Sequence, residues 1–196
     1  MLIIHGSRDT IRNIVAKVNA SSAEPEIEIA CYNAPSSQVV VGGSLAIDRT
    51  GSLLNSDPAF SGTRCQQLDV THGFHSNLTK GMLDDLDQVS ASLTYPEPEI
   101  FLETCAAEPS SQILAKRPSQ HAREAVYFSD AIQRIEKRLD SCVRPESGMD
   151  SPIIPMIKRA LAKPEDHCLQ AVKMLDSQGS MIVTSNVTTN LWRDWI

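Results

Sequence analysis

The chain has 196 residues, of which 41% are hydrophobic and 21% are charged. This composition is typical of globular proteins and excludes wholesale disorder, and the length suits one domain or two small ones. The 18 basic and 24 acidic residues give a net charge of −6, which argues against a nucleic-acid-binding protein. No apolar stretch reaches the roughly 18 residues of a membrane helix. The sequence therefore predicts a soluble, cytoplasmic chain without a membrane partner.

The first 70 residues alternate between strand and helix patterns. The predicted elements are a strand at 1–4, a helix capped by Ser7 or Asp9 with Ile11, Ile14, Val15 and Val18 on its apolar face, strands at 26–32 and 38–41, a helix at 44–55 and a strand at 64–70. This succession is the ferredoxin-like split βαβ pattern.

The remaining residues also predict an α/β arrangement with a largely parallel sheet. The predicted elements are a helix carrying Leu78, Met82, Leu83, Leu86, Val89 and Leu93, a strand at 99–105, a polar loop at 106–122, a helix capped by Ser129, a short strand at 142–143, a helix starting at Ser151 and Pro152, and a last helix at 180–192. Five widely spaced cysteines without a C-x-x-C pair indicate reduced thiols rather than disulfides or a zinc site.

The segment around His75 carries the clearest chemical signal. His75 lies where a strand is expected to run into a helix, a place where α/β folds position reactive side chains. Histidine titrates near neutrality and can act there as a general base, although a structural histidine is the more common reading. His72 and His75 form an H-x-x-H pair, but residues three apart on a strand face opposite ways. We therefore predict no metal site.

Two weaker signals have competing explanations. Ser44 follows Gly42 and Gly43 as in a nucleophile elbow, but the motif reads G-x-S-x-A, and a serine N-cap after a glycine turn is the more common explanation. A basic stretch can approach phosphates of coenzyme A or an acidic carrier protein, but a solvated loop is the more common meaning. That stretch comprises Lys116, Arg117, His121 and Arg123.

Six segments, in order along the chain, together resemble one family, the malonyl-CoA:acyl-carrier-protein acyltransferase domain of fungal iterative type I polyketide synthases. They are IEIACYNAPSSQVVVGG (27–43), DVTHGFHSNLTKGMLDDL (69–86), FLETC (101–105), HAREAVYFSDAIQRIEKRL (121–139), ESGMDSPIIPMIKRAL (146–161) and NLWRDWI (190–196). The resemblance implies a ferredoxin-like small subdomain at 1–74, followed at 75–196 by the C-terminal part of an α/β-hydrolase-like large subdomain.

The resemblance also implies a mechanism, in which malonyl passes from malonyl-CoA to the phosphopantetheine thiol of an acyl carrier protein through a serine ester. His75 matches the family's general base and acid, and Glu124 matches the residue whose backbone carbonyl orients it, with Ala125 in place of the usual proline. His72, Gly73 and Phe74 match the segment that favours malonyl over branched acyl groups. No cofactor is implied on the chain itself, and its partners are the carrier protein and neighbouring synthase domains.

The family's G-H-S-x-G nucleophile motif does not occur in this sequence, nor do its carboxylate-binding arginine and oxyanion-hole donors. We therefore expect a fragment in which the nucleophile lies upstream, and we expect the isolated chain to be inactive in acyl transfer. A non-catalytic, degenerate scaffold is the alternative. A small serine hydrolase that uses Ser44 and His75 is a third hypothesis.

Overall fold

The computed structural model describes residues 1–20, 22, 25–99, 102–108, 116–138, 143–148, 153–161, 168–173 and 182–183. The chain divides into two compact units, Met1–Ala131 and Ile132–Ile196. None of the helices among the described residues combines the length and the apolar character needed to cross a membrane.

The first unit contains a four-stranded antiparallel sheet flanked by helices. Its elements in chain order are β1 (Leu2–His5), α1 (Arg8–Asn19), β2 (Ile27–Ala34), β3 (Ser37–Gly42), α2 (Ser44–Ser56) and β4 (Arg64–Gln67). The predicted succession of strands and helices is therefore present. The strands lie side by side in the order β2, β3, β1, β4.

Alternation along the strands builds apolar clusters on both faces of this sheet. Leu2 and Ile4 of β1 pack on the helix side with Ile11 and Ile14 of α1, which confirms the predicted apolar face of that helix. Ile3 faces the other way and packs against a cluster formed by Ala30, Val39 and Val41. Strands β1, β2 and β3 are therefore packed on both faces and form a rigid support, whereas all four residues of β4 are exposed.

Local signals set the starts of the two helices differently. Ser7 is the N-cap of α1, and its hydroxyl accepts a hydrogen bond from the Thr10 amide at 3.1 Å. At α2 the N-cap is Gly43, so the expected Ser44 cap is wrong, and Ser44 is the first helical residue. Leu45 in the first turn of α2 is 78% exposed, because residues two apart on a helix, here Leu45 and the buried Ile47, point to opposite sides.

Further helices follow in the first unit and continue across its end. They are a 3-10 helix (Asn77–Met82), α3 (Leu83–Ala91), α4 (Arg117–Arg123) and α5 (Phe128–Arg138). Helix α4 occupies part of the predicted polar loop, and Pro118 in its first turn is a favourable helix start. Residues 102–105 form no strand, which corrects the prediction at 99–105. Ser129, which we predicted as a cap, lies inside α5 and is fully buried.

After α5, the described residues of the second unit form a smaller mixed sheet and a further helix. Its elements are β5 (Val143–Gly148), α6 (Ile153–Ala160), β6 (Cys168–Lys173) and β7 (Ile182–Val183). Strands β5 and β6 are parallel and β7 is antiparallel to β6, so only part of the sheet is parallel. The helix predicted at 180–192 is wrong at β7, where two β-branched residues pair with β6. The predicted start of a helix at Ser151 and Pro152 lies outside the described residues.

The end of β3 provides a matched pair of glycine substitutions. A Cβ on Gly42 would lie 2.4 Å from the Glu26 carbonyl oxygen and 2.7 Å from Ile27 Cγ2, whereas a Cβ on Gly43 would meet nothing within 4 Å. We expect Gly42→Ala to lower the free energy of unfolding by about 1–3 kcal/mol through overpacking, and Gly43→Ala to lower it only by the smaller cost of a poorer N-cap residue, about 0.5 kcal/mol. Urea unfolding of the two variants tests this, and equal stabilities would contradict it.

Candidate active site

His75 lies in the loop that connects β4 to the 3-10 helix. Strand β4 ends at Gln67 rather than at the predicted residue 70, and residues 68–76 form no regular element. His75 has φ of 59° and is the one non-glycine residue with positive φ in the described part of the chain. This left-handed conformation is unfavourable for a side chain and persists where surrounding contacts enforce it.

Those contacts come from the C-terminal end of α4. The last carbonyl groups of a helix lack hydrogen-bond donors within the helix. At the end of α4, His75 provides these donors. The His75 amide donates to the Ala122 carbonyl at 2.9 Å. The ring Nδ1 lies 2.7 Å from the His121 carbonyl oxygen and 3.1 Å from the Glu124 carbonyl oxygen. His75 thus caps α4 with both its backbone and its side chain.

The two carbonyl partners determine which ring nitrogen of His75 carries the hydrogen. A carbonyl oxygen only accepts hydrogen bonds, so Nδ1 must be the donor and carry the hydrogen in the neutral ring. The other nitrogen, Nε2, then has a free lone pair, and no hydrogen bond to it is found among the described residues. This tautomer, held by backbone acceptors, is the form that a general base requires.

The segment after α4 is fastened to the edge of β2. The Tyr32 amide donates to the Val126 carbonyl, and the Val126 amide donates to the Ala30 carbonyl, both at 2.8 Å. The Tyr127 ring stacks on the Tyr32 ring with centroids 4.7 Å apart. Two backbone bonds and an aromatic pair therefore keep the Glu124 carbonyl at a fixed distance from the sheet.

A second layer of side chains supports the same segment. The Arg8 guanidinium, at the start of α1, lies 4.7 Å from the centroid of the Tyr32 ring. It also forms two hydrogen bonds with the carboxylate of Asp130, of which the one from Nη1 to Oδ1 is 3.0 Å. Hydrogen bonding to Asp130 raises the pKa of Arg8 above its ordinary value, against the effect of desolvation. A bidentate pair of this kind fixes orientation as well as distance.

His121 was assigned to a basic stretch in the sequence, and its role as the nearer carbonyl partner of His75 was missed. Its ring also meets the His75 ring edge-on, with centroids 5.1 Å apart. Desolvation is the main cause that lowers the pKa of His121 below 6.5, and electrostatic interactions with His75 and Arg117 act in the same direction. Pro118 was the sequence signal that could have been used, because proline favours the first turn of a helix. A helix starting there would have put the His121 carbonyl near a helix end, where carbonyl groups lack partners.

Two of the three residues before His75, His72 and Gly73, line a surface depression. His72 is exposed, its Nδ1 is 2.7 Å from the Thr71 hydroxyl, and its ring lies 5.6 Å from that of Phe74. Phe74 is 47% exposed. The depression has a volume of about 580 Å³, and His72, Gly73, Asp69 and Ser44 are among the residues that line it.

Ser44 and His75 are not joined by any hydrogen bond among the described residues, so the geometry gives no support to a Ser44–His75 hydrolase. Ser44 is exposed at the start of α2, on the wall of the depression. No group of three metal-ligating side chains is found in the described ranges. His75 is thus hydrogen-bonded to the end of α4 and not to Ser44.

The pKa of His121 predicts how acid affects stability. The folded chain holds the pKa of His121 below 6.5, so the unfolded chain binds a proton first as the pH falls through this value. The free energy of unfolding should therefore decrease below about pH 6.5 until the folded form of His121 is also protonated. Chemical unfolding between pH 5 and 7.5 measures the slope, and His121→Asn should reduce it. An unchanged slope in that variant would contradict the assignment.

The contacts of Gly73 predict a small cost for alanine at that position. A Cβ there would lie 2.5 Å from Leu78 Cδ1 and 3.1 Å from Val41 Cγ2. Because the exposed Leu78 side chain can rotate away, we expect Gly73→Ala to destabilise the chain by about 1 kcal/mol, and by less when combined with Leu78→Ala. Gly81→Ala, where a Cβ would meet nothing within 4 Å, is the control. Additive effects in the double variant would show that Leu78 is not the obstacle.

Relatives of the chain are found among fungal enzymes. No protein-family model matches it. It is 39% identical over 194 residues to non-reducing polyketide synthase atr1 of Stereocaulon alpinum, 37% over 196 residues to Preu6 of Preussia isomera, and 40% over 202 residues to stbA of Stachybotrys bisbyi. These alignments cover 99–100% of this chain but only 8–9% of the length of each relative.

Solved structures with a similar fold are acyltransferases. The acyltransferase domain from the second module of the salinomycin polyketide synthase has a TM-score of 0.71 and 25% identity, covering 90% of this chain and 39% of that domain. The acyltransferase domain of phenolphthiocerol/phthiocerol synthase A from Mycobacterium bovis has a TM-score of 0.72 at 16% identity, covering 87% of this chain and 64% of that domain. The chain is therefore homologous to a region of fungal non-reducing polyketide synthases, and it has the α/β fold of polyketide synthase acyltransferase domains.

Proposed function

We propose that this chain is part of an acyltransferase domain that transfers malonyl from malonyl-CoA to the phosphopantetheine thiol of an acyl carrier protein. The observation that carries the proposal is the fixed Nδ1–H tautomer of His75, with carbonyl acceptors at 2.7 and 3.1 Å. A malonyl-transacylase solved in complex with a type II polyketide synthase acyl-carrier protein has the same fold, with a TM-score of 0.68 at 16% identity. The parent synthase's neighbouring domains are the other proposed partners.

His75 acts first as a base and then as an acid in the proposed reaction. Its Nε2 accepts the proton of a serine hydroxyl as the serine oxygen attacks the malonyl thioester, and the same proton goes to the departing coenzyme A sulfur. In the second half, Nε2 takes the proton of the phosphopantetheine thiol and returns it to the serine oxygen. The sequence contains no G-x-S-x-G, so we propose that this serine belongs to residues of the parent synthase outside these 196.

The same proposal extends to substrate choice and to subdomain boundaries. Phe74 next to the histidine leaves less room for a branched acyl group, a discrimination worth about 1–3 kcal/mol per methyl. The strand order β2, β3, β1, β4 supports a ferredoxin-like small subdomain at 1–74. We assign 75–196 to the C-terminal part of the large subdomain.

A chimeric synthase tests the role of His75. This chain would replace the 194 matching residues of the Stereocaulon alpinum synthase, and transfer of radiolabelled malonyl from malonyl-CoA to the carrier protein would be measured. We expect His75→Ala to reduce transfer by about 10²- to 10⁴-fold, the usual contribution of a general base. His5→Ala, which removes an exposed histidine at the end of β1, should have no effect.

Three outcomes would contradict parts of the proposal. Near-normal transfer in His75→Ala would remove this residue from the mechanism. A folded chimera without transfer activity would favour the alternative of a non-catalytic scaffold, which is motivated by the missing nucleophile motif. The isolated chain should acquire no stoichiometric, hydroxylamine-labile malonyl label, and such a label would show that it holds its own nucleophile.

A further inference from the structure

The side chain of Glu28, on β2, contacts two segments that are far apart in the sequence. Its Oε1 accepts a hydrogen bond from the Asn77 amide at 2.8 Å. Its Oε2 lies 3.0 Å from Nη1 of Arg123, in an ion pair whose side chains are 23% exposed at Glu28 and 34% at Arg123. One carboxylate on the rigid sheet therefore holds both segments at once.

These two segments carry the donor and the acceptors of the His75 ring hydrogen bonds. Asn77 comes two residues after His75, at the start of the 3-10 helix. Arg123 is the last residue of α4. It lies between His121 and Glu124, whose backbone carbonyl oxygens accept the hydrogen bonds from His75 Nδ1. A shift of either segment would change the distance from Nδ1 to its acceptors.

We propose that Glu28 is a positioning residue for His75, fixing the imidazole against the end of α4. The inference rests on the proposed function, because positioning matters for rate only if His75 carries a proton during transfer. The Glu28 carboxylate makes its polar contacts with Asn77 and Arg123 and forms no hydrogen bond with the His75 imidazole. Glu28 would affect the rate indirectly, by keeping the segments around Asn77 and Arg123 at the right distance from each other.

The conformation of His75 explains why such a contact is needed. A histidine at φ of 59° relaxes toward negative φ unless its neighbours hold it. The backbone bond from His75 to Ala122 and the Thr79 hydroxyl bond to the same carbonyl, at 3.2 Å, contribute. Glu28 adds the one charged contact in this set, and a displacement of about 1 Å at a catalytic group can cost about 100-fold in rate.

The kinetic experiment uses the chimeric synthase with substitutions at Glu28. We expect Glu28→Ala to lower kcat for malonyl transfer by about 10- to 100-fold with little change in KM for malonyl-CoA, because the reacting groups and not the binding groups are displaced. Glu28→Gln keeps an oxygen for the Asn77 amide but loses the charge opposite Arg123, so its kcat should be intermediate. The matched control is Glu26→Ala, which removes an ion pair with Arg49 near the same strand and should leave kcat unchanged.

A spectroscopic experiment on the 196-residue chain gives a readout that does not depend on activity. Nitrogen-15 shifts of the His75 ring report the tautomer, which should be Nδ1–H in the unsubstituted chain and in Glu26→Ala. In Glu28→Ala we expect a mixture of Nδ1–H and Nε2–H. Thermal unfolding compared with Glu26→Ala separates this effect from general destabilisation, and Glu28→Gln provides the nearly isosteric variant if Glu28→Ala does not fold.

The outcomes distinguish this inference from the proposed function. If His75→Ala retains transfer, the proposed function fails, but the tautomer measurement still tests whether Glu28 positions the ring. If His75→Ala abolishes transfer while Glu28→Ala and Glu28→Gln keep the normal kcat and the Nδ1–H tautomer, the positioning role is overturned. A rise in KM alone would also overturn it, because it would indicate a contribution to substrate binding.

Discussion

The candidate site depends on the unpaired carbonyl groups at the end of α4. A helix of seven residues exposes acceptors that must find donors, and His75 provides two of them from a loop 46 residues earlier in the chain. The same contacts hold His75 in a left-handed conformation and choose its tautomer. The contacts that satisfy the helix end are thus the same contacts that fix the Nδ1–H tautomer of the imidazole.

Strand β2 connects this arrangement to the sheet. Its edge pairs with Val126 through two backbone bonds, and its Glu28 side chain reaches both the His75 loop and Arg123. Because the small sheet has apolar clusters on both faces, the strand itself has little freedom. Apolar packing keeps β2 in place, and the polar contacts of β2 with Val126, Asn77 and Arg123 in turn keep the candidate site in place.

The sequence predicted the regular parts of the first unit well, because strands and helices each impose a characteristic spacing on their apolar residues. The apolar face of α1 and the succession of six elements followed from such patterns. Failures came where tertiary contacts decide. Helix α4 was missed because its few apolar residues give no periodicity, and the role of the His121 carbonyl cannot be read from a side chain. The contacts of Glu28 with Asn77 and Arg123 could not be predicted either, because neither periodicity nor spacing indicates which distant segments β2 meets.

The commitment of Nδ1 to backbone acceptors has a consequence for repeated turnover. Both the neutral and the protonated imidazole carry a hydrogen on Nδ1, so the bonds to His121 and Glu124 persist whether or not Nε2 holds a proton. Uptake and release of a proton then require no rearrangement of the loop or of the helix end. A catalytic cycle based on this ring would proceed on a backbone that stays in one conformation throughout, with the proton as the only part that moves.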